Sequence, residues 1–115
     1  MQGQTGTLEK LLSLIERYTQ DLAVLRASQF DPEIAAILSV DIGELMRLDQ
    51  GHVKGVAYEL SELVISHSRL ALCAMNRQLS IARSGPPIEV PDALLMDVRT
   101  AAIRLDRAAR ILLSR

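Results

Sequence analysis

From His52 to Arg83 the chain runs without a proline and with one early glycine, Gly55. Apolar residues recur there at Val53, Val56, Leu60, Leu63, Leu70, Ala74 and Ile81, with His67 and Arg77 as polar members of the same seam. The steps alternate three and four, which is one face of a helix and close to the seam of a coiled coil. A continuous helix over this stretch would be roughly 45 Å long at about 1.5 Å per residue. A compact domain of this size is only about 25–30 Å across. Helix length therefore predicts that a second chain covers the seam.

The 115 residues suit one domain, 1–115. Hydrophobic residues make up 49% of the chain but aromatics only 3%, so the core must be built from Leu, Ile, Val, Ala and Met. Helix–helix packing prefers that mixture, whereas sheets favour aromatic and β-branched residues. The fold class expected is all-α: a small bundle with one long central helix, two short helices before it and a C-terminal helix, as an intertwined dimer.

Boundary signals fill in the order. Thr7 reads as the N-cap of a first helix whose apolar positions are Leu8, Leu11, Leu12, Ile15, Leu22 and Leu25, ending near Ser28. Asp31-Pro32-Glu33 combines a cap, a proline at the first helical position and an acid at the positive end of the dipole. Asp41-Ile42-Gly43-Glu44 reads as a capping box, opening a second short helix that stops at Gly51. Ser66-His67-Ser68-Arg69 is a polar interruption at which the long helix could kink. Ser84-Gly85-Pro86-Pro87 ends it, because consecutive prolines cannot continue a helix. Asp92 is then read as the cap of a final helix with Leu95, Val98, Ala102, Leu105, Ala109 and Leu112 on its seam, widened by Leu94, Ala101, Ile103, Ala108 and Leu113.

Charge and chemistry exclude more than they assign. Net charge is −1, so no global field draws the molecule to nucleic acid or membrane. One cysteine rules out an internal disulfide, and no apolar run reaches the roughly 18–20 residues of a membrane span, so a cytosolic location is expected. His52 and His67 have no ligand partner at helical spacing, and Cys73 sits between Leu72 and Ala74 as a small packing residue. No phosphate loop, Ser/His/Asp pattern or Cys-x-x-Cys is present. Neither enzymatic activity nor a cofactor or metal is expected.

Two surfaces follow from the pattern. The dimer interface is assigned to Leu11, Ile15 and Leu22 of the first helix and to Val56, Leu60, Leu63, His67 and Leu70 of the long one. The last 24 residues hold five arginines against three acids. Of these, Arg99, Arg104, Arg107 and Arg110 are candidate contacts to phosphate backbone or to an acidic partner; if DNA is bound, the turn at Gly51-His52 is a candidate helix-turn-helix corner.

The order of elements from residue 8 to 65 resembles a family. A leucine-rich first helix leads to Phe30-Asp31, Ala35-Ala36 and Leu38-Ser39-Val40-Asp41, and then to a longer helix holding Val56-Ala57 and Leu60. This is similar to the FlhD family, the smaller subunit of the bacterial flagellar master transcription activator. The chain departs from it in having Leu38-Ser39-Val40 where the family carries Leu-Gly-Ile. It also lacks the family's cysteine in the stretch matching Ile65 to Arg69, so no inter-subunit disulfide is implied there. The resemblance implies an all-helical homodimer that joins a zinc-bearing partner subunit at promoter DNA. The alternative reading is a non-DNA interaction module, such as an adaptor, a secretion chaperone or an anti-activator, that offers an apolar groove to a partner helix.

Overall fold

A computed structural model describes residues 2–26, 30–48, 54–86 and 88–115, with side chains from Gly6 onward. Among the described residues there are four helices, α1 (Gln2–Ala23), α2 (Pro32–Met46), α3 (Ala57–Ala82) and α4 (Asp92–Leu113), with a 3-10 turn, Lys54–Val56, leading into α3. There is no strand among the described residues. Each helix packs on its neighbours in sequence, and α4 returns to α1 and closes the ring. Gly55, just before α3, lies against Leu112 near the end of α4, and Cys73 of α3 lies by Glu89 just before α4, so these two helices run antiparallel.

The molecule is a rod of 55 × 21 × 20 Å. A near-spherical domain would need a second chain to cover so long a helix, whereas a rod of this length does not. At about 1.5 Å per residue the 26-residue α3 is roughly 39 Å long and lies within the rod. All eight residues assigned to a dimer interface are buried by the chain's own helices: Leu11, Ile15, Leu22, Val56, Leu60, Leu63, His67 and Leu70. Their apolar character is accounted for within one protomer.

The boundaries differ from the sequence reading in physical detail. Thr7 lies inside α1, which starts at Gln2 and closes at Ala23, short of Ser28, a residue outside the described set. The expected pair of short helices is one helix. Asp31 caps it through a 2.9 Å bond from the Glu33 amide, with Pro32 at the first position, and it then runs through Asp41 and Gly43 without a break. The capping box fails because Leu38, Ile42 and Leu45 continue a single buried seam. The Asp41 carboxylate is held by Arg17 instead of by a backbone amide. Gly51, His52 and Val53 lie outside the described residues, and with them the expected C-cap and helix-turn-helix corner.

α3 does not kink at Ser66–Arg69. Ser68 Oγ donates to the Val64 carbonyl at 2.8 Å, and His67 finds partners on two other helices. The helix ends as read, at Ala82, with Ser84 two residues on in the left-handed conformation (φ 58°). Pro91, not Asp92, holds the N-cap position of α4, and no side chain caps that end. On α4 the seam residues Leu95, Val98, Ala102, Leu105 and Ala109 are buried, while Ile103 is exposed. Gly55 lets α4 come close, since a Cβ there would stand 2.6 Å from Leu112 Cδ1.

Candidate functional site

Three places hold more than ordinary packing. The first is a polar line through the bundle. Tyr18, fully buried on α1, lies with its hydroxyl 2.9 Å from His67 Nδ1, and Ser39 Oγ of α2 is 3.2 Å from Nε2. The arrangement has the outline of a nucleophile, a base and an orienting group. Burial, however, lowers the His67 pKa to about 4, which makes it a weak base at neutral pH. Ser39 Oγ also lies 3.2 Å from the Ala35 carbonyl, the ordinary back-bond of a helical serine. The line reads as structural: it satisfies a histidine on an apolar seam.

Beside it, Arg17 bridges α1 to α2 through Asp41 Oδ1 at 2.9 Å and Glu44 Oε2 at 2.7 Å. Asp41 is buried, and its Oδ2 has no hydrogen-bond partner among the described residues. Burial and the nearby Asp21 carboxyl raise its pKa to about 6, against the pull of Arg17. Burial likewise raises the Tyr18 hydroxyl above its usual range.

The second place is a half-open cleft of about 1020 Å³ at the end of the rod where α1 finishes and α4 begins. Arg26, Arg77 and Arg99 reach its walls, and Leu25, Val90 and Leu95 form its floor. Glu89 and Asp92 also line it, so three arginines meet two acids and one net positive charge remains. Arg77 is further occupied by the Ile88 carbonyl at 2.8 Å.

The four candidate phosphate contacts do not form one cluster. Arg99, Arg104 and Arg107 are exposed on α4, but Arg99 turns to the cleft, and Arg110 is held by Asp106 at 2.9 Å. Cys73 is half-buried against the Glu89 carbonyl.

The third place is the outer face of α3, which reading the chain for a single seam passes over. Tyr58, Ile65, Leu72 and Leu79 are all exposed and lie seven residues apart, with Met75 three residues after Leu72. Ser61, Ser68 and Ala82 complete the intervening positions and are exposed too. The helix therefore carries two seams on opposite sides. Leu60, Leu63, His67, Leu70 and Ala74 enter the core, and the second seam faces out. The signal is present in the sequence, in the sevenfold recurrence from Tyr58. A face chosen for the first seam treats those residues as its solvated back.

No known family model matches the chain, and no curated protein or solved structure matches it. No helix among the described residues is long and apolar enough to cross a membrane.

Proposed function

We propose that this chain is a non-catalytic, cytosolic helical interaction module whose working surface is the outer face of α3. One observation carries the reading: α3 is apolar on both sides, and only one side packs on its own chain. An amphipathic helix on a bundle normally turns charged residues to water, and an exposed apolar stripe of this length marks an interaction surface. Recognition of one helix by another needs only such a stripe, with no converging reactive groups. The test is the size at which the chain runs in fresh native extract. The wild type should elute well above its 12.7 kDa mass. The Leu72→Glu/Leu79→Glu variant should elute as a free chain with unchanged helix content. A wild type already running as a free chain overturns the reading, as does a variant that runs with the wild type.

A second reading is favoured by the exposed arginines of α4. In it the chain is an FlhD-like regulator subunit, a homodimer that joins a partner subunit at promoter DNA, with Arg99, Arg104 and Arg107 near phosphate. Replacing one phosphate-binding arginine by alanine should reduce the salt dependence of DNA binding by about one unit of slope. A complex with unchanged salt slope after replacement of all three by alanine contradicts it.

A further inference from the structure

We infer that the outer face of α3 is occupied by a second copy of this chain, packed antiparallel, with the two-fold axis passing between Leu72 and Met75. The inference rests on the interaction-module reading and adds the identity and direction of the partner.

Size is the first support. The exposed parts of Tyr58, Ile65, Leu72, Met75 and Leu79 amount to roughly 500 Å² of apolar surface per copy, a large share of the ~800 Å² per partner of a standard interface. The face is also free to receive a helix. Every position of the outer seam from Tyr58 to Ala82 is exposed.

Direction follows from side-chain size. With Tyr58, Ile65, Leu72 and Leu79 as one set of seam positions, the other set is Ser61, Ser68, Met75 and Ala82. A parallel pair would stack Ser68 on Ser68 and Ser61 on Ser61, leaving thin layers at one end. The antiparallel pair sets Leu72 against Met75, Ser68 against Leu79 and Ile65 against Ala82. Large meets small in the outer layers, as interdigitating seams require.

Charge agrees. The flanking position beside this seam holds Glu62, Arg69, Asn76 and Arg83 in order along the helix. In a parallel pair these side chains would flank the partner's Ala57, Val64, Ala71 and Gln78, none of them charged. Reversed, Glu62 lies beside the partner's Arg83, and Arg69 beside the partner's Asn76. Only the antiparallel arrangement gives Glu62 an opposite charge across the interface, so charge complementarity favours it.

The experiment uses light scattering and directed disulfides on the full chain, in a Cys73→Ala background for the disulfides. At micromolar concentration the wild type should weigh twice its 12.7 kDa. The Leu72→Glu/Met75→Glu variant should fall to one chain mass with its helical circular dichroism intact. Differently tagged S68C and L79C chains should form the mixed disulfide when combined. S68C alone should not link to itself, because the two copies of residue 68 would be eleven residues apart, roughly 16 Å. Self-linked S68C means a parallel pair and overturns the inference. A monomeric purified chain that still runs in a larger complex in extract also overturns it, while leaving the interaction-module reading standing. A monomer in both settings removes both.

Discussion

The Tyr18 hydroxyl meets Nδ1 of His67 at 2.9 Å across the middle of the bundle, and the two rings stand edge to face with centroids 5.8 Å apart. With Ser39 on the other ring nitrogen, one imidazole ties α1, α2 and α3 together. Both partners are hydroxyls, which donate or accept as needed, so either neutral tautomer is satisfied. This is how a histidine stands on an otherwise apolar seam.

Tyr18→Phe keeps the ring and removes the partner of Nδ1. A buried polar group left unpaired costs about 1–3 kcal/mol. Urea unfolding should show a loss in that range with the slope unchanged. A neutral result would mean that the bond contributes nothing net.

Asp41 and His67 make opposing contributions to stability across mild acid. The Asp41 pKa rises from 3.8 to about 6 on folding, chiefly through burial, then Asp21, with Arg17 opposing. The native state therefore holds this proton more tightly than the unfolded chain. The stability it adds is fully present below pH 3.8 and is lost as pH rises through 6. The His67 pKa falls from 6.5 to about 4 through burial, so its contribution is present above pH 6.5 and is lost as pH falls towards 4. Between about pH 4 and 6 the two slopes oppose, and wild-type stability should be nearly flat. Asp41→Asn should leave stability rising with pH in that window, and His67→Gln should leave it falling. Each slope is at most about 1.4 kcal/mol per pH unit. Denaturant midpoints across the window check the signs, and parallel profiles for the two variants would contradict the assignment.

Gly43 lies inside α2 with nothing within 4 Å of where a Cβ would stand, and its φ is not positive. Gly43→Ala should therefore stabilise the protein by about 0.5–1 kcal/mol. A lower melting temperature would show that α2 breaks at Gly43, as a capping box there requires.

Ser84 adopts the left-handed conformation at the end of α3, where the Gly85 amide reaches back to the Ser80 carbonyl at 2.9 Å. Glycine takes that conformation without the Cβ penalty, so Ser84→Gly should add about 1 kcal/mol. A thermal melt of the variant measures it.

The inner architecture was legible because periodicity and punctuation are local. The seam from Val56 to Ala74, the Asp31-Pro32 start and the stop at Ser84-Gly85 all stand in the structure. Two things were not legible. A capping pattern such as Asp41 to Glu44 looks the same whether its acid meets a backbone amide or Arg17 of a neighbouring helix, and only the tertiary pairing decides. Helix length also says nothing of cover until the shape is known. A rod hides a long seam that a sphere of equal volume would leave bare. Assuming a sphere leaves Leu60 and Leu63 in need of a second chain, whereas the chain's own helices bury them.

Met75 on the outer face of α3 and Met96 on α4 offer the most direct measurement, since they are 62% and 57% exposed and should oxidise alike in isolated chains. Mild oxidation of the protein in native extract, set against purified chain diluted to nanomolar, reads which of the two is covered. Met75 oxidising several-fold more slowly than Met96 in extract, with equal rates on dilution, is the expected result. Equal rates in both settings would mean that the outer face of α3 stays bare and has no partner.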